Sequence, residues 1–136
     1  MFRKILVGFD GSKESMKALE VAINLAKASN GKIKVVEVIR HEPAIETYVK
    51  ENIRDKEKII KHREMVIKLS QENGIEIDYH ATYGDPSLVL SKIAEMEDFD
   101  LIIVGKRKIR GIRKVFTESV SVNLVKNTNK PVLVII

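Results

Sequence analysis

The chain has 136 residues, 44% of them hydrophobic and 32% charged, with 24 lysines and arginines against 19 acids and a net charge of +5. That length suits one domain over 1–136 with a single sizeable core, and the composition is that of a soluble globular protein whose charge favours anionic partners. The absence of cysteine excludes disulfides, thiolate metal sites and a cysteine nucleophile, and fits a cytoplasmic chain.

The opening MFRKILVGFDGSKES turns polar too early for a signal peptide. No apolar run approaches the ~20 residues of a membrane span, so no membrane partner is expected. Residues 4–9 (KILVGF) form a short apolar run that stops at Asp10-Gly11-Ser12, which reads as a buried strand and a turn. Ser12 and Ser15 open a helix in which Met16, Leu19, Ile23 and Ala26 recur at helical spacing, and Asn30-Gly31 ends it. Residues 32–39 (KIKVVEVI) read as a second strand. From about Ala44 to Asn73 the chain is strongly charged with helical periodicity, although residues 41–56 also read as a mobile loop leading into that long helix. Within it Ile59, Ile60, Val66, Ile67 and Leu69 are expected to cover the sheet.

Residues 75–83 are a third strand, partly alternating. Asp85-Pro86 opens a helix with proline at its first position, and residues 100–105 (DLIIVG) are a fourth strand. A basic stretch follows, then a helix from about Val115 to Asn127, then a last strand, PVLVII, from Pro131 to Ile136. Strands alternate with helices throughout, and most strands are almost continuously apolar, as when both faces are covered. The expected fold is therefore α/β, a doubly wound five-stranded parallel sheet with helices on both faces, and right-handed crossovers favour a strand order such as 3-2-1-4-5.

In such a sheet ligands bind beyond the carboxyl ends of the strands, where strands 1 and 4 diverge. Two segments meet there: Gly8-Phe9-Asp10-Gly11-Ser12, and the run from Gly105. Asp10 has two readings, a carboxylate for a ribose or base and a capping residue for the helix that follows. The run VGKRKIRGIRKVFTESVSVNL carries six cations, Lys106, Arg107, Lys108, Arg110, Arg113 and Lys114, and leads to a helix start at Ser119, where free N–H groups make an anion site.

In order, ILVGFDGSKESMKALEVAINLAK, KIKVVEVI, YGDPSLVLSKIAE, DFDLIIVGKRKIRG and ESVSVNLVKNTNKPVLVI resemble the universal stress protein family along almost the whole chain, except about residues 41 to 70. The resemblance implies the same 3-2-1-4-5 sheet and a homodimer through PVLVII. It also implies a site for ATP or another adenine nucleotide, with Mg only in the nucleotide's company. ATP-binding members carry glycine, two residues, glycine, nine residues, then glycine and serine or threonine. Gly105 matches the first glycine and Ser119 the final serine, but Lys108 and Glu118 stand where the other two glycines belong. Asp10 matches the acid that meets the nucleoside, and Val38 the small apolar residue whose backbone meets adenine. Gly8, Phe9, Arg107 and Val120 complete the expected cofactor-binding set.

The two departures weaken the phosphate site. Glycine lets a backbone approach a phosphate without a Cβ and permits positive φ. Lys108 loses both, and Glu118 puts a carboxylate at the helix start where phosphate would lie. The leading reading is a non-enzymatic nucleotide-binding or signalling module of the stress response with weakened ATP binding. Slow ATP hydrolysis is one alternative, but FDGSKES lacks the paired glycines of an ATP pyrophosphatase loop. His41, His62 and His80 read as surface or packing residues, and neither a catalytic set nor metal-ligand spacing emerges. The other alternative is nucleic-acid binding through KRKIRGIRK. It is not expected, because no aromatic residue interleaves with the cations.

Overall fold

The computed structural model describes residues 1–40, 45–106 and 120–136, and the backbone alone for residues 45–52. Among these residues five strands and four helices alternate in this order: β1 (Lys4–Gly8), α1 (Lys13–Ser29), β2 (Lys32–Ile39), α2 (Ile45–Asn73), β3 (Ile77–Tyr83), α3 (Pro86–Met96), β4 (Leu101–Gly105), α4 (Val120–Asn127) and β5 (Val132–Ile135). The sheet is entirely parallel, in the order β3-β2-β1-β4-β5. This is the expected doubly wound sheet, with β1 between β2 and β4. The helix expected from about Val115 is described from Val120; its first residues, with most of the basic stretch, lie outside the described residues.

Alternation along the strands divides the core in two. Ile5, Val7, Phe9, Ile33, Val35 and Ile103 face α1 and α2, where Ala18, Leu19, Ala22, Ile23, Ala26 and Val66 meet them. Leu6, Val36, Ile102 and Val104 face α3 and α4, meeting Leu90, Ala94 and Leu124. Alanines at 18, 22 and 26 let α1 lie close to the sheet. Met16 departs from the expected stripe and is exposed, because the buried line of α1 runs through Ser15, Ala18 and Ala22 instead.

Helix ends follow local chemistry. The Ser12 hydroxyl accepts from the Ser15 N–H at 3.2 Å, and Asn30 closes α1 in the left-handed region at φ 56°. Asp85 caps α3, accepting from the Leu88 N–H at 3.1 Å and the Ser87 hydroxyl at 2.7 Å, with Pro86 next in line. Those bonds, the Ser87 hydroxyl foremost, hold the Asp85 carboxyl below its ordinary range.

Helix α2 has the expected bounds and departs from expectation in which residues face the sheet. It is helical from Ile45, where a loop was the competing reading, and its 29 residues span about 43 Å. The seven residues of β3 span only about 23 Å. The C-terminal end of α2 is fixed at the amino edge of the sheet, where the Ser70 hydroxyl donates to the Ile75 carbonyl at 2.5 Å. The excess therefore projects past the carboxyl edge. Its inward line runs through Ile59, His62, Val66 and Leu69. Ile60 and Ile67, expected on the sheet, are 53% and 49% exposed, as is Ile53 at 54%. Those three are seven residues apart and share the solvent face.

Candidate functional site

The carboxyl ends of β1 and β4 lie side by side, since the two strands pair at Ile5↔Leu101 through Val7↔Ile103. Gly8 ends β1 opposite Val36 of β2. Phe9 is buried and donates its N–H to the Val36 carbonyl at 3.0 Å, so β1 hands the chain directly to the turn. There the Asp10 carboxylate accepts from the Ser12 N–H at 2.9 Å, and the Asp10 N–H reaches the Ser15 hydroxyl at 3.4 Å. The helix cap is thus Ser12, and Asp10 shapes the turn before it. Across the strand boundary Gly105 ends β4 opposite Ile135, and the Lys106 N–H donates to the Ile135 carbonyl at 2.7 Å. A Cβ on Gly105 would strike the backbone of Glu14 in the first turn of α1, so the end of β4 packs directly on that helix start.

Val38 lies on β2 opposite Thr82 and is half-buried against the α3–α4 core. Val120 opens α4 and packs against the same core. Gly8, Phe9, Asp10, Val38, Gly105 and Val120 are therefore described. Arg107, Lys108, Glu118 and Ser119 lie outside the described residues. Among the described residues no three His, Cys, Asp or Glu side chains gather as a metal site would require, and no helix is long and apolar enough to cross a membrane.

Beside the turn stands a polar cluster that sequence reasoning did not find. Glu37, on β2 next to Val38, is 1% exposed. Its Oε1 accepts from the Tyr79 hydroxyl of β3 at 2.5 Å and from His62 Nδ1 of α2 at 2.7 Å. Its Oε2 has no hydrogen-bond partner among the described residues and is met by Lys58 Nζ at 3.5 Å. Burying a carboxylate costs several kcal/mol, which these partners offset. Burial first, and then the bond to Glu37, push the Tyr79 phenol far above its ordinary value, with the Arg63 guanidinium over the ring opposing them.

His62, read from the sequence as a surface or packing residue, is the hinge of this cluster. Its ring meets Phe9 edge-on, with centroids 5.0 Å apart at 87°. It also lies over Gly11, where a Cβ would come within 2.8 Å of Cε1 and 2.9 Å of Nε2. Gly11 has φ +83°, so both backbone and ring require glycine there. A glutamate orienting a histidine is the geometry of a base and its positioner, but the other edge of this ring faces Gly11, which brings no nucleophile. One signal was legible: Glu37 is the lone acid in KIKVVEVI, on a strand buried on both faces.

The family model for the universal stress protein family matches residues 1–135. The chain is 30% identical over 148 residues to universal stress protein YxiE of Bacillus subtilis, covering 99% of both chains. Among solved structures it is similar to universal stress protein UspA from Lactobacillus plantarum, with a TM-score of 0.79 at 21% identity over 99% of this chain and 98% of that one. It is also similar to a universal stress protein in complex with cAMP, with a TM-score of 0.76 at 22% identity over 98% and 96%. With its fold, the match along nearly its whole length and the strand ends just described, the chain belongs to the universal stress protein family.

Proposed function

We propose that the chain is a cytoplasmic, non-enzymatic signalling module of the stress response that holds an adenine nucleotide loosely at the carboxyl edge of β1 and β4. The observation that carries this reading is the adjacency of the Asp10 turn and the Gly105 strand end at the point where the crossover direction reverses. A related fold in complex with cAMP adds support for the ligand class. In this reading Asp10 meets the ribose, the Val38 backbone meets the base, and Gly8 and Phe9 hold the turn in place. Phosphates extend towards Gly105, Arg107, Lys108, Ser119 and Val120.

Lys108 and Glu118 weaken that phosphate end. Lysine cannot supply the bare backbone that glycine offers, and the Glu118 carboxylate competes for the anion position at the helix start. AMP, having fewer phosphates to seat, is expected to bind at least as well as Mg-ATP. Calorimetry with AMP, cAMP and Mg-ATP tests this, and a submicromolar Kd for Mg-ATP would defeat the claim of weakened binding. The double variant Lys108→Gly with Glu118→Gly is expected to tighten Mg-ATP by about tenfold or more, the worth of one or two phosphate contacts.

A further inference from the structure

We infer that His62 is a positioning residue for the nucleoside-facing turn, tying the shape of that turn to the docking of α2. For the ligand this rests on the nucleotide reading above; the tie itself belongs to the unliganded chain. The two segments assigned to the nucleoside are Asp10 and Val38. His62 touches an immediate neighbour of each: Phe9 and Gly11 around Asp10, and Glu37 before Val38. One imidazole from α2 therefore sits among β1, its turn and β2.

The details suit a positional role better than simple packing. Glu37 accepts from both His62 and Tyr79 on the same oxygen, so the ring is fixed by direction as well as by volume. Gly11 supplies a surface without a Cβ on which the ring lies. An apolar pair of the same size would fill the space without burying a carboxylate. Helix α2 cannot lift its Lys58–His62 turn without withdrawing the ring that backs Gly11. Conversely, a ligand that firms the Asp10 turn must favour docked α2, because coupling between two sites is reciprocal. Helix α2 also overshoots the sheet at this edge, so the segment under control is the projecting one.

Two amides report on the turn. The Ser12 N–H is held by Asp10 and the Ser15 N–H by Ser12. In the unliganded protein, His62→Ala is expected to speed exchange at both amides and along residues 58–66, each by about tenfold. Val66→Ala, one turn further along α2, should speed exchange in the helix but leave the two turn amides as in wild type. His62→Asn, whose amide can still donate to Glu37, should restore part of the protection. Turn amides that stay fully protected in His62→Ala would overturn the inference. Should that variant fail to fold, the same comparison is made with His62→Asn and His62→Phe, which separately remove the ring and the donor. Unaltered turn protection in both would overturn it equally.

AMP titration provides the second arm. Affinity should fall about five- to tenfold in His62→Ala and remain unchanged in Val66→Ala. Equal affinity in His62→Ala and wild type would overturn the positional role. Wild-type protein that binds no AMP would sink the nucleotide reading instead, and the exchange arm would still decide the tie between turn and helix.

Discussion

Replacing Tyr79 by phenylalanine removes one of the two hydrogen-bond donors that hold Glu37 Oε1 and leaves a buried carboxylate with less to satisfy it. Near neutral pH the expected cost is about 1–2 kcal/mol. That cost depends on pH with a definite sign. The folded phenol is held above the unfolded value of 10.0. Below that value both states keep the proton, and the bond contributes in full. Above it the unfolded chain releases its proton first, the folded form binds more protons, and stability falls as pH rises. The gap between wild type and Tyr79→Phe, read from urea unfolding, should therefore be largest near pH 8 and shrink above pH 10. A gap that widens with alkali would contradict the assigned cause. This cluster was hard to read from sequence because its members come from β2, α2 and β3. Only the unusual acid in VVEVI hinted at it, and nothing local to His62 or Tyr79 named its partner.

Elements were more legible than their faces. Almost continuous apolar runs marked four strands and partial alternation the third, and Ser12, Asn30 and Asp85-Pro86 marked helix ends that the structure has at the same residues. Periodicity along α2 failed for a specific reason: its isoleucines and valines fall on two lines. Val66 and Ile59 belong to the line that meets the sheet, whereas Ile53, Ile60 and Ile67 repeat every seven residues on the other side. Apolarity identifies a stripe; only packing against β2 and β3 decides which stripe turns inward. The stability test is direct. Ile60→Lys should change the unfolding free energy by no more than about 0.5 kcal/mol, whereas Val66→Ala, at a position with no exposure, should cost about 2 kcal/mol. Similar costs for the two would mean that the helix sits rotated from the position described.

At the scale of the whole molecule, β5 is an outer strand of the sheet, carrying Leu133 at 36% exposure and followed by Ile136 at 63%. The Pro131 and Ile135 carbonyls accept from Ile102 and Lys106, so by alternation Val132 and Val134 direct their own N–H and C=O groups outward. An apolar edge of this kind invites pairing, and antiparallel association with the same strand of a second copy would satisfy it around a two-fold axis. Light scattering should find a dimer at micromolar concentration. Leu133→Lys, which spares Val134 and its packing on the α3–α4 core, should shift it to monomer with the circular dichroism of wild type. A wild type that is monomeric throughout would exclude the arrangement. Alternation of strand and helix with right-handed crossovers made a doubly wound sheet legible from the sequence and favoured an order in which β1 meets β4, which the family resemblance then singled out. The proposed phosphate end was legible only as a family motif with two glycines replaced.

Gly105 gives that motif a different weight. A Cβ there would collide with the backbone of Glu14, so the end of β4 needs glycine merely to lie against α1. A descendant of this chain that had abandoned nucleotides altogether would still be held to glycine at this position by its own folding. Selection for packing and selection for phosphate leave the same letter at 105. Drift away from a ligand would therefore be recorded first at positions such as 108 and 118, where this chain has lysine and glutamate.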